Sequence, residues 1–95
     1  MDKKEFIKSL GFTTEGNYDG DNKYVVVLAD SDEYAKAYTK LSNQLDLDET
    51  LTLVTSRVSE LLFFNDEFDV KLVANFDDDI YKVIVLDNAE TEENA

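Results

Sequence analysis

The spacing of apolar residues along the chain predicts three helices, each of which begins at the same capping signal. An Asp is followed three positions later by a Glu, and such a pair satisfies free amides in the first turn of a helix. The pairs are Asp2/Glu5, Asp30/Glu33 and Asp46/Glu49. The first pair predicts a helix of about two turns that ends at Gly11, and the second predicts a helix over residues 31–43.

The segment 47–62 admits two interpretations. Three threonines, at positions 50, 52 and 55, favour a strand, so a strand followed by a helix is one alternative. One continuous helix of about four turns is the preferred prediction, because apolar residues recur at spacings of four and three over a stretch longer than an ordinary strand. These residues are Leu47, Leu51, Val54, Val58, Leu61 and Leu62.

A β-branched stretch predicts a first hairpin. Residues 23–28 form an apolar run that is typical of a strand. The dipeptide Asp19-Gly20 just before it favours a tight turn, which pairs this run with a strand over residues 12–18.

A second hairpin is predicted near the C-terminus. It pairs residues 68–75 with residues 80–86 around the turn 76–79. The strand 80–86 and the strand 24–28 have apolar residues on both faces, as expected of strands in the centre of a sheet.

The order of these elements is α-β-β-α-α-β-β, which predicts an α+β fold with a four-stranded, mainly antiparallel sheet and about three helices. We expect a single globular domain over residues 1–86, because a chain of 95 residues buries too little surface for two cores. Residues 87–95 include four acids and no apolar side chain larger than Ala. This composition predicts an acidic disordered tail.

Acidic residues outnumber basic ones by 22 to nine, which gives a formal net charge of −13. The excess is concentrated in the second half of the chain. Residues 1–45 hold eight acids and six bases, whereas residues 46–95 hold 14 acids and three bases. A negative field of this strength favours a partner with a basic surface and argues against direct binding of nucleic acid.

The composition also argues against an enzyme. The absence of His and Cys removes the common general base near neutral pH, the thiol nucleophile and the usual zinc ligands. The three glycines form no phosphate-binding loop. We therefore expect no catalytic residues, no cofactor and no dedicated metal site.

Two features leave a cation as a weaker alternative. The first is a set of oxygen ligands around a glycine that resembles part of a calcium loop: Asn17, Asp19, Asp21 and Asn22. The twelve-residue pattern with its terminal Glu is missing, so a hairpin turn is the preferred interpretation. The second is the cluster of carboxylates described next, which could hold a divalent cation loosely.

Element lengths predict where the acids meet. A helix over residues 47–62 and the strand 68–75 are each about 25 Å long, so the strand returning along the helix brings the turn 76–79 to the start of the helix. Six carboxylates and one aromatic ring then form the predicted partner-binding site: Asp46, Asp48, Glu49, Asp77, Asp78, Asp79 and Phe76. A second acidic pole is predicted at the opposite end, from Asp66, Glu67 and Asp69.

Simpler explanations apply to some of these residues. Helix capping accounts for Asp46 and Glu49, and a solubilising turn accounts for part of the run of three Asp. Phe76 either contacts a partner or folds back onto the sheet. Because a turn needs a single Asp, the other two favour an additional role in binding.

Two classes of function are consistent with the sequence. In the first, the carboxylates imitate nucleic-acid phosphates and occupy the basic surface of a nucleic-acid-handling protein. In size, charge and lack of catalytic groups the chain resembles the small acidic DNA-mimic and anti-CRISPR inhibitors that phages encode, and this resemblance in composition covers no motif. In the second, the domain is a structural or assembly module that forms a homodimer through an exposed sheet face. No stretch approaches the roughly 20 apolar residues that span a bilayer, so a soluble cytoplasmic protein is expected.

Overall fold

A computed structural model describes residues 1–20 and 22–88. Within these residues the chain forms two α-helices, seven β-strands and one short 3-10 turn. The helices are α1 (Lys3–Ser9) and α2 (Ser31–Gln44), and the 3-10 turn spans Glu49–Leu51. The strands are β1 (Asn17–Asp19), β2 (Lys23–Leu28), β3 (Asp46–Leu47), β4 (Leu53–Val54), β5 (Val58–Phe64), β6 (Phe68–Asn75) and β7 (Ile80–Asp87).

Both helices begin at the predicted caps. The Asp2 carboxylate accepts a hydrogen bond from the Glu5 amide at 2.7 Å, and the Asp30 carboxylate accepts one from the Glu33 amide at 3.0 Å. Helix α1 ends where Gly11 adopts a φ of +105°, a left-handed conformation that favours glycine. The first two predicted helices are therefore confirmed.

The third predicted helix is wrong, and so is the alternative of a strand followed by a helix. Residues 46–64 form β3, the 3-10 turn, β4 and β5. The Asp46/Glu49 pair does not start a helix; instead Asp48 accepts hydrogen bonds from the amide and the hydroxyl of Thr50 at 3.0 and 2.6 Å. Strand pairing prevails because β5 bonds β6 on one side and β3 and β4 on the other. A helix at this place would leave β6 with an unpaired edge.

Thr55 makes the turn that separates β4 from β5. Its hydroxyl accepts hydrogen bonds from the amides of Arg57 and Val58 and donates one to the Val58 carbonyl, at 3.2, 2.9 and 3.0 Å. The threonines that favoured a strand thus lie in the 3-10 turn and in the connections that flank β4, and not on one helical face.

The seven strands form one antiparallel sheet in the order β1-β2-β7-β6-β5-β3, and β4 also pairs with β5. The α+β class holds, but the predicted four-stranded sheet with three helices is corrected to a seven-stranded sheet with two. Both predicted hairpins are present, although β1 is shorter than predicted. Strands β2 and β7 lie side by side within the sheet, as their apolar sequences predict.

Both helices lie on the same side of the sheet. Helix α1 packs against β7, and α2 packs across β2, β6 and β7. The strand residues that point toward the helices are buried with Phe6, Ile7, Ala37 and Leu41 in one hydrophobic core. They include Tyr24, Val26, Phe63, Val70, Leu72, Val83 and Val85.

The opposite side of the sheet carries no helix within the described residues. Alternation along the strands places a second set of residues there, which we call the uncovered face. It consists of Asn17, Asp19, Lys23, Val25, Val27, Asp46, Leu53, Val58, Glu60, Leu62, Phe64, Asp69, Lys71, Val73, Asn75, Ile80, Lys82, Ile84 and Leu86. Val27, Leu53 and Ile80 are 59, 52 and 41% exposed, so part of the apolar content of the central strands faces solvent.

Most of the predicted tail 87–95 lies outside the described residues. Asp87 ends β7, and its carboxylate pairs with the Lys3 ammonium at 2.9 Å. In the described part of the chain, neither helix has the length and apolar character that crossing a membrane requires.

One-sided burial predicts unequal effects of truncation on the two sides of the sheet. Leu72 of β6 is 0% exposed, and Leu72→Ala is expected to lower the free energy of unfolding by about 2–5 kcal/mol through lost apolar contacts and a cavity. Val27→Ala, at an exposed position, is expected to change it by less than about 0.5 kcal/mol. Urea denaturation of both variants measures the difference, and equal losses would contradict the assignment of the buried side.

Candidate functional site: the acidic end of the sheet

The turn between β6 and β7 holds three consecutive carboxylates, and each has a local partner. Asp77 lies 3.6 Å from the Arg57 guanidinium. Asp78 accepts a hydrogen bond from the Asn75 side-chain amide at 3.1 Å, while its own amide donates one to the Asn75 side chain at 3.1 Å. Asp79 has a φ of 55°, a left-handed conformation that Asp tolerates better than most residues. The local fold therefore uses all three Asp, where the sequence analysis accounted for one.

An aromatic cluster connects this turn to helix α2. The Phe76 ring meets the rings of Tyr34 and Tyr81 edge-on, at centroid distances of 6.4 and 6.3 Å, and Tyr34 also contacts Tyr81 at 5.5 Å. The Phe76 amide donates a hydrogen bond to the Arg57 carbonyl at 2.8 Å. Phe76 thus folds back against its neighbours, and 46% of its surface remains exposed.

This cluster brings the start of α2 to the same end of the molecule. Leu28, the last residue of β2, pairs with Tyr81 near the start of β7, so the chain enters α2 beside the turn. The acids of the cap and first turn of α2 therefore lie at the same end as the turn carboxylates. We call this group the acidic tip, and it consists of Asp30, Asp32, Glu33, Asp77, Asp78 and Asp79.

The acidic tip has a strong excess of negative charge. All its residues are exposed except Glu33, which is half-buried. Two cations contact it: Arg57 beside Asp77, and Lys36, whose ammonium lies 3.6 Å from the Glu33 carboxylate. Six carboxylates against two cations leave a charge of −4 on this end of the sheet. A cationic surface is therefore the electrostatically matched partner for this end.

The acidic tip also perturbs a tyrosine. The hydrogen bond between the Tyr81 hydroxyl and the Asp79 carboxylate raises the pKa of Tyr81 above its usual value of 10.0. Burial of the ring and the negative charges of Asp79 and Asp30 raise the pKa further, because each disfavours the tyrosinate. The pKa of this one side chain thus depends on both parts of the acidic tip, the turn and the helix cap.

The predicted union of Asp46, Asp48 and Glu49 with the turn carboxylates is wrong. Asp46 pairs with Phe64 at one end of β5, whereas Asn75, which begins the turn, pairs with Val58 at the other end. The six residue-to-residue steps from Val58 to Phe64 span about 20 Å. Asp48 lies partway along the same strand, where its amide donates to the Leu62 carbonyl at 2.8 Å. The clustering depended on a helix at residues 47–62, and no helix forms there.

The second acidic pole has a different composition from the predicted one. Asp66 and Glu67 lie in the β5–β6 turn and Asp69 follows in β6, at the end of the sheet away from the acidic tip. Asp46 joins them because it pairs with Phe64, which also pairs with Asp69. Cations compensate part of this pole: the N-terminal ammonium lies 3.5 Å from Glu67, and Lys3 pairs with Asp87.

Sequence reasoning missed Asp30, Asp32 and Glu33 as members of the site. It assigned the Asp30/Glu33 pair to capping and placed the two central strands correctly, but it did not pair β2 with β7. Antiparallel pairing of those two strands was the signal that would have found these residues, because it places the end of β2 beside the start of β7.

The two alternatives that involved a cation gain no support. Among the described residues, no group of three or more acidic side chains is arranged to hold a metal ion. Asn17 and Asp19 belong to β1 and pair with Val25 and Lys23 in the predicted hairpin.

The perturbed tyrosine predicts how stability depends on pH. Because the folded state holds the Tyr81 proton more tightly than the unfolded chain, this group contributes stability that is complete below about pH 10 and is lost as the pH rises through the raised pKa. As the pH rises above 10, the free energy of unfolding of Tyr81→Phe is expected to fall less than that of the wild-type protein. Tyr18→Phe, at an exposed tyrosine, serves as the control. Urea denaturation at several alkaline pH values measures the difference, and parallel curves for the two variants would contradict the prediction.

A direct titration tests the cause of the raised pKa. Asp79→Asn keeps a residue that tolerates positive φ and removes the charge, so the pKa of Tyr81 is expected to fall toward 10. NMR titration of the tyrosine ring carbons measures this value, and an unchanged pKa would exclude Asp79 as a cause.

Similarity to known proteins adds no further constraint on this site. No protein-family model, curated protein sequence or solved structure matches the chain with statistical significance.

Proposed function

We propose that this protein is a non-enzymatic binding protein that presents the acidic tip to the basic surface of a nucleic-acid-handling protein and competes there with nucleic acid. The observation that carries the proposal is the residual charge of −4 at one exposed end of the sheet, with Arg57 and Lys36 as its two contacting cations. A surface of this kind attracts a cationic groove and repels nucleic acid.

The density of negative charge in the turn supports phosphate mimicry. Asp77, Asp78 and Asp79 are consecutive and exposed, so three carboxylates project from one tight turn. Duplex DNA is likewise a surface of closely spaced negative charges. This concentration supports a proposal in which basic side chains that normally contact phosphates contact the turn instead.

The rigidity of the turn is a second supporting observation. The hydrogen bonds of Asn75 and Asp78 fix the backbone, and the Phe76 ring packs against Tyr34 and Tyr81. A preorganised charged surface loses less conformational entropy on binding than a flexible one. The exposed part of Phe76 adds an apolar contact beside the charges.

Binding to a cationic partner tests the proposal. The immobilised protein is used to capture partners from native lysate at low salt, and the main captured protein is then purified for titration. Substitution of all three turn carboxylates (D77N, D78N and D79N) is expected to weaken binding at least about tenfold and to reduce its dependence on salt. Nucleic acid that binds the partner is expected to displace the protein.

A matched variant separates the acidic tip from overall charge. The substitutions D66N, E67Q and D69N remove the same three charges at the second acidic pole and are expected to have a smaller effect. The proposal fails if both triple variants weaken binding equally, if neither does, or if the partner has no affinity for nucleic acid.

A further inference from the structure

The uncovered face differs in charge from the rest of the molecule. Three lysines, Lys23, Lys71 and Lys82, lie among four acids, Asp19, Asp46, Glu60 and Asp69, so the face carries a charge of only −1 in a chain of net charge −13. Within the described part of the chain, none of the three lysines forms an ion pair.

The apolar residues of this face are contiguous. Val25 pairs with Ile84, and Val73 lies between Lys82 and Glu60 in the next row of the sheet. Val27, Leu53 and Ile80 extend the apolar surface to its margins and are each more than 40% exposed. Depletion of net charge together with exposed apolar residues is the pattern that distinguishes an interface from an ordinary surface.

The edges of the sheet are less suited to association than its face. One edge is β1, with three residues, and the other is formed by β3 and β4, with two residues each and a 3-10 turn between them. Short, interrupted edge strands prevent the addition of further strands from another chain. An association through the sheet therefore uses the face.

Positive and negative charges predominate in different halves of the uncovered face. The β1–β2–β7 half carries Lys23 and Lys82 with Asp19, a sum of +1. The β6–β5–β3 half carries Asp46, Glu60 and Asp69 with Lys71, a sum of −2. Strand pairing also places these charges in rows. Lys82 and Glu60 share one row through Val73. Two rows further along, beyond the row of Ile84 and Lys71, are Asp69 and Asp46, which are linked through Phe64. Lys23 lies at the end of the same row. Tyr24 pairs with Val85, so the neighbouring residue Lys23 lies opposite Leu86, and Leu86 pairs with Asp69.

From this arrangement we propose that the uncovered face binds a second copy of the same chain, in a homodimer whose two-fold axis runs along the strands between β7 and β6. Such an axis places the β2 half of one copy over the β5 half of its partner and keeps each row opposite itself. Lys82 then lies beside the partner's Glu60, and Lys23 lies over the partner's Phe64, between its Asp46 and its Asp69. Two of the three lysines that formed no ion pair within one chain, Lys23 and Lys82, are thereby placed next to acids of the other, and Lys71 lies over the partner's Ile84.

The area of the face is sufficient for a weak dimer. The face is about 25 Å wide across five strands and about 20 Å long from Leu86 to Ile80, which gives about 500 Å² per copy in projection. The resulting total of about 1,000 Å² is at the lower limit for specific interfaces. We expect a dissociation constant on the order of 10–100 μM and a dimer that is favoured when salt screens the repulsion between two acidic copies.

A charge exchange between two variants tests this dimer. Sedimentation equilibrium is measured for K82E, for E60K and for their equimolar mixture. Each variant alone places like charges opposite one another and is expected to dimerise at least about tenfold more weakly than the wild-type protein. In the mixed dimer, the two acids of one copy face the two lysines of the other, so the mixture is expected to regain wild-type affinity or exceed it. Circular dichroism establishes that each variant is folded.

Two controls complete the test. K36E changes the charge by the same amount on α2, across the sheet from the proposed interface, and is expected to dimerise like the wild-type protein. I84D places a charge at the centre of the face and is expected to abolish the dimer.

The proposal is overturned if the wild-type protein is monomeric at all concentrations up to about 1 mM, in which case the face serves a different partner. It is also overturned if the mixture associates no better than its components, because the interface then lies elsewhere. This proposal does not depend on the function of the acidic tip, since no residue of the face belongs to the tip.

Discussion

Burial on a single side of the sheet is the physical constraint on which the rest of the structure depends. Two helices of seven and 14 residues lie on one face of a seven-stranded sheet. Their apolar residues and one alternating set of strand residues complete the core, with Val70, Leu72 and Val83 fully buried. The other alternating set is left on the uncovered face. Because side chains alternate along every strand, the same residues that build the core decide which residues remain outside.

The same arrangement determines where the charges meet. Antiparallel pairing of β2 with β7 brings the cap of α2 beside the β6–β7 turn, and Phe76 packs against Tyr34 to hold them together. The carboxylates concentrate at the two ends of the sheet, where turns and helix caps use acids for local hydrogen bonds. The lysines of the uncovered face lie along the strands between these ends. The net charge of −13 thus describes a molecule with one strongly acidic end, one partly compensated end and a nearly neutral face.

Local signals in the sequence predicted the helices and hairpins that depend on near neighbours. The Asp2 and Asp30 caps, Gly11 and the Asp19-Gly20 turn were read correctly because each acts within a few residues. The structure of residues 47–62 was predicted wrongly. The apolar spacing there favours a helix whereas the threonines favour a strand, and the strand forms because β6 needs a partner along its edge. Asn65, whose side chain accepts from the amides of Glu67 and Phe68 at 2.8 Å, was an unused turn signal between β5 and β6. The predicted site was wrong for the same reason as the predicted helix. Its acids were grouped by matching the length of that helix to the length of the strand 68–75, and the pairing of strands was not considered.

The central claim is that one-sided coverage leaves an exposed sheet face that acts as an interaction surface distinct from the acidic tip. NMR spectra of the methyl-labelled protein over a dilution series test this most directly, because methyl groups report on both sides of the sheet. The account predicts concentration-dependent shifts for the methyl groups of Val25, Val73 and Ile84 on the uncovered face, and constant shifts for those of Val70 and Val83 beneath the helices. Shifts confined to residues near the acidic tip, or no shifts at any concentration, would contradict it.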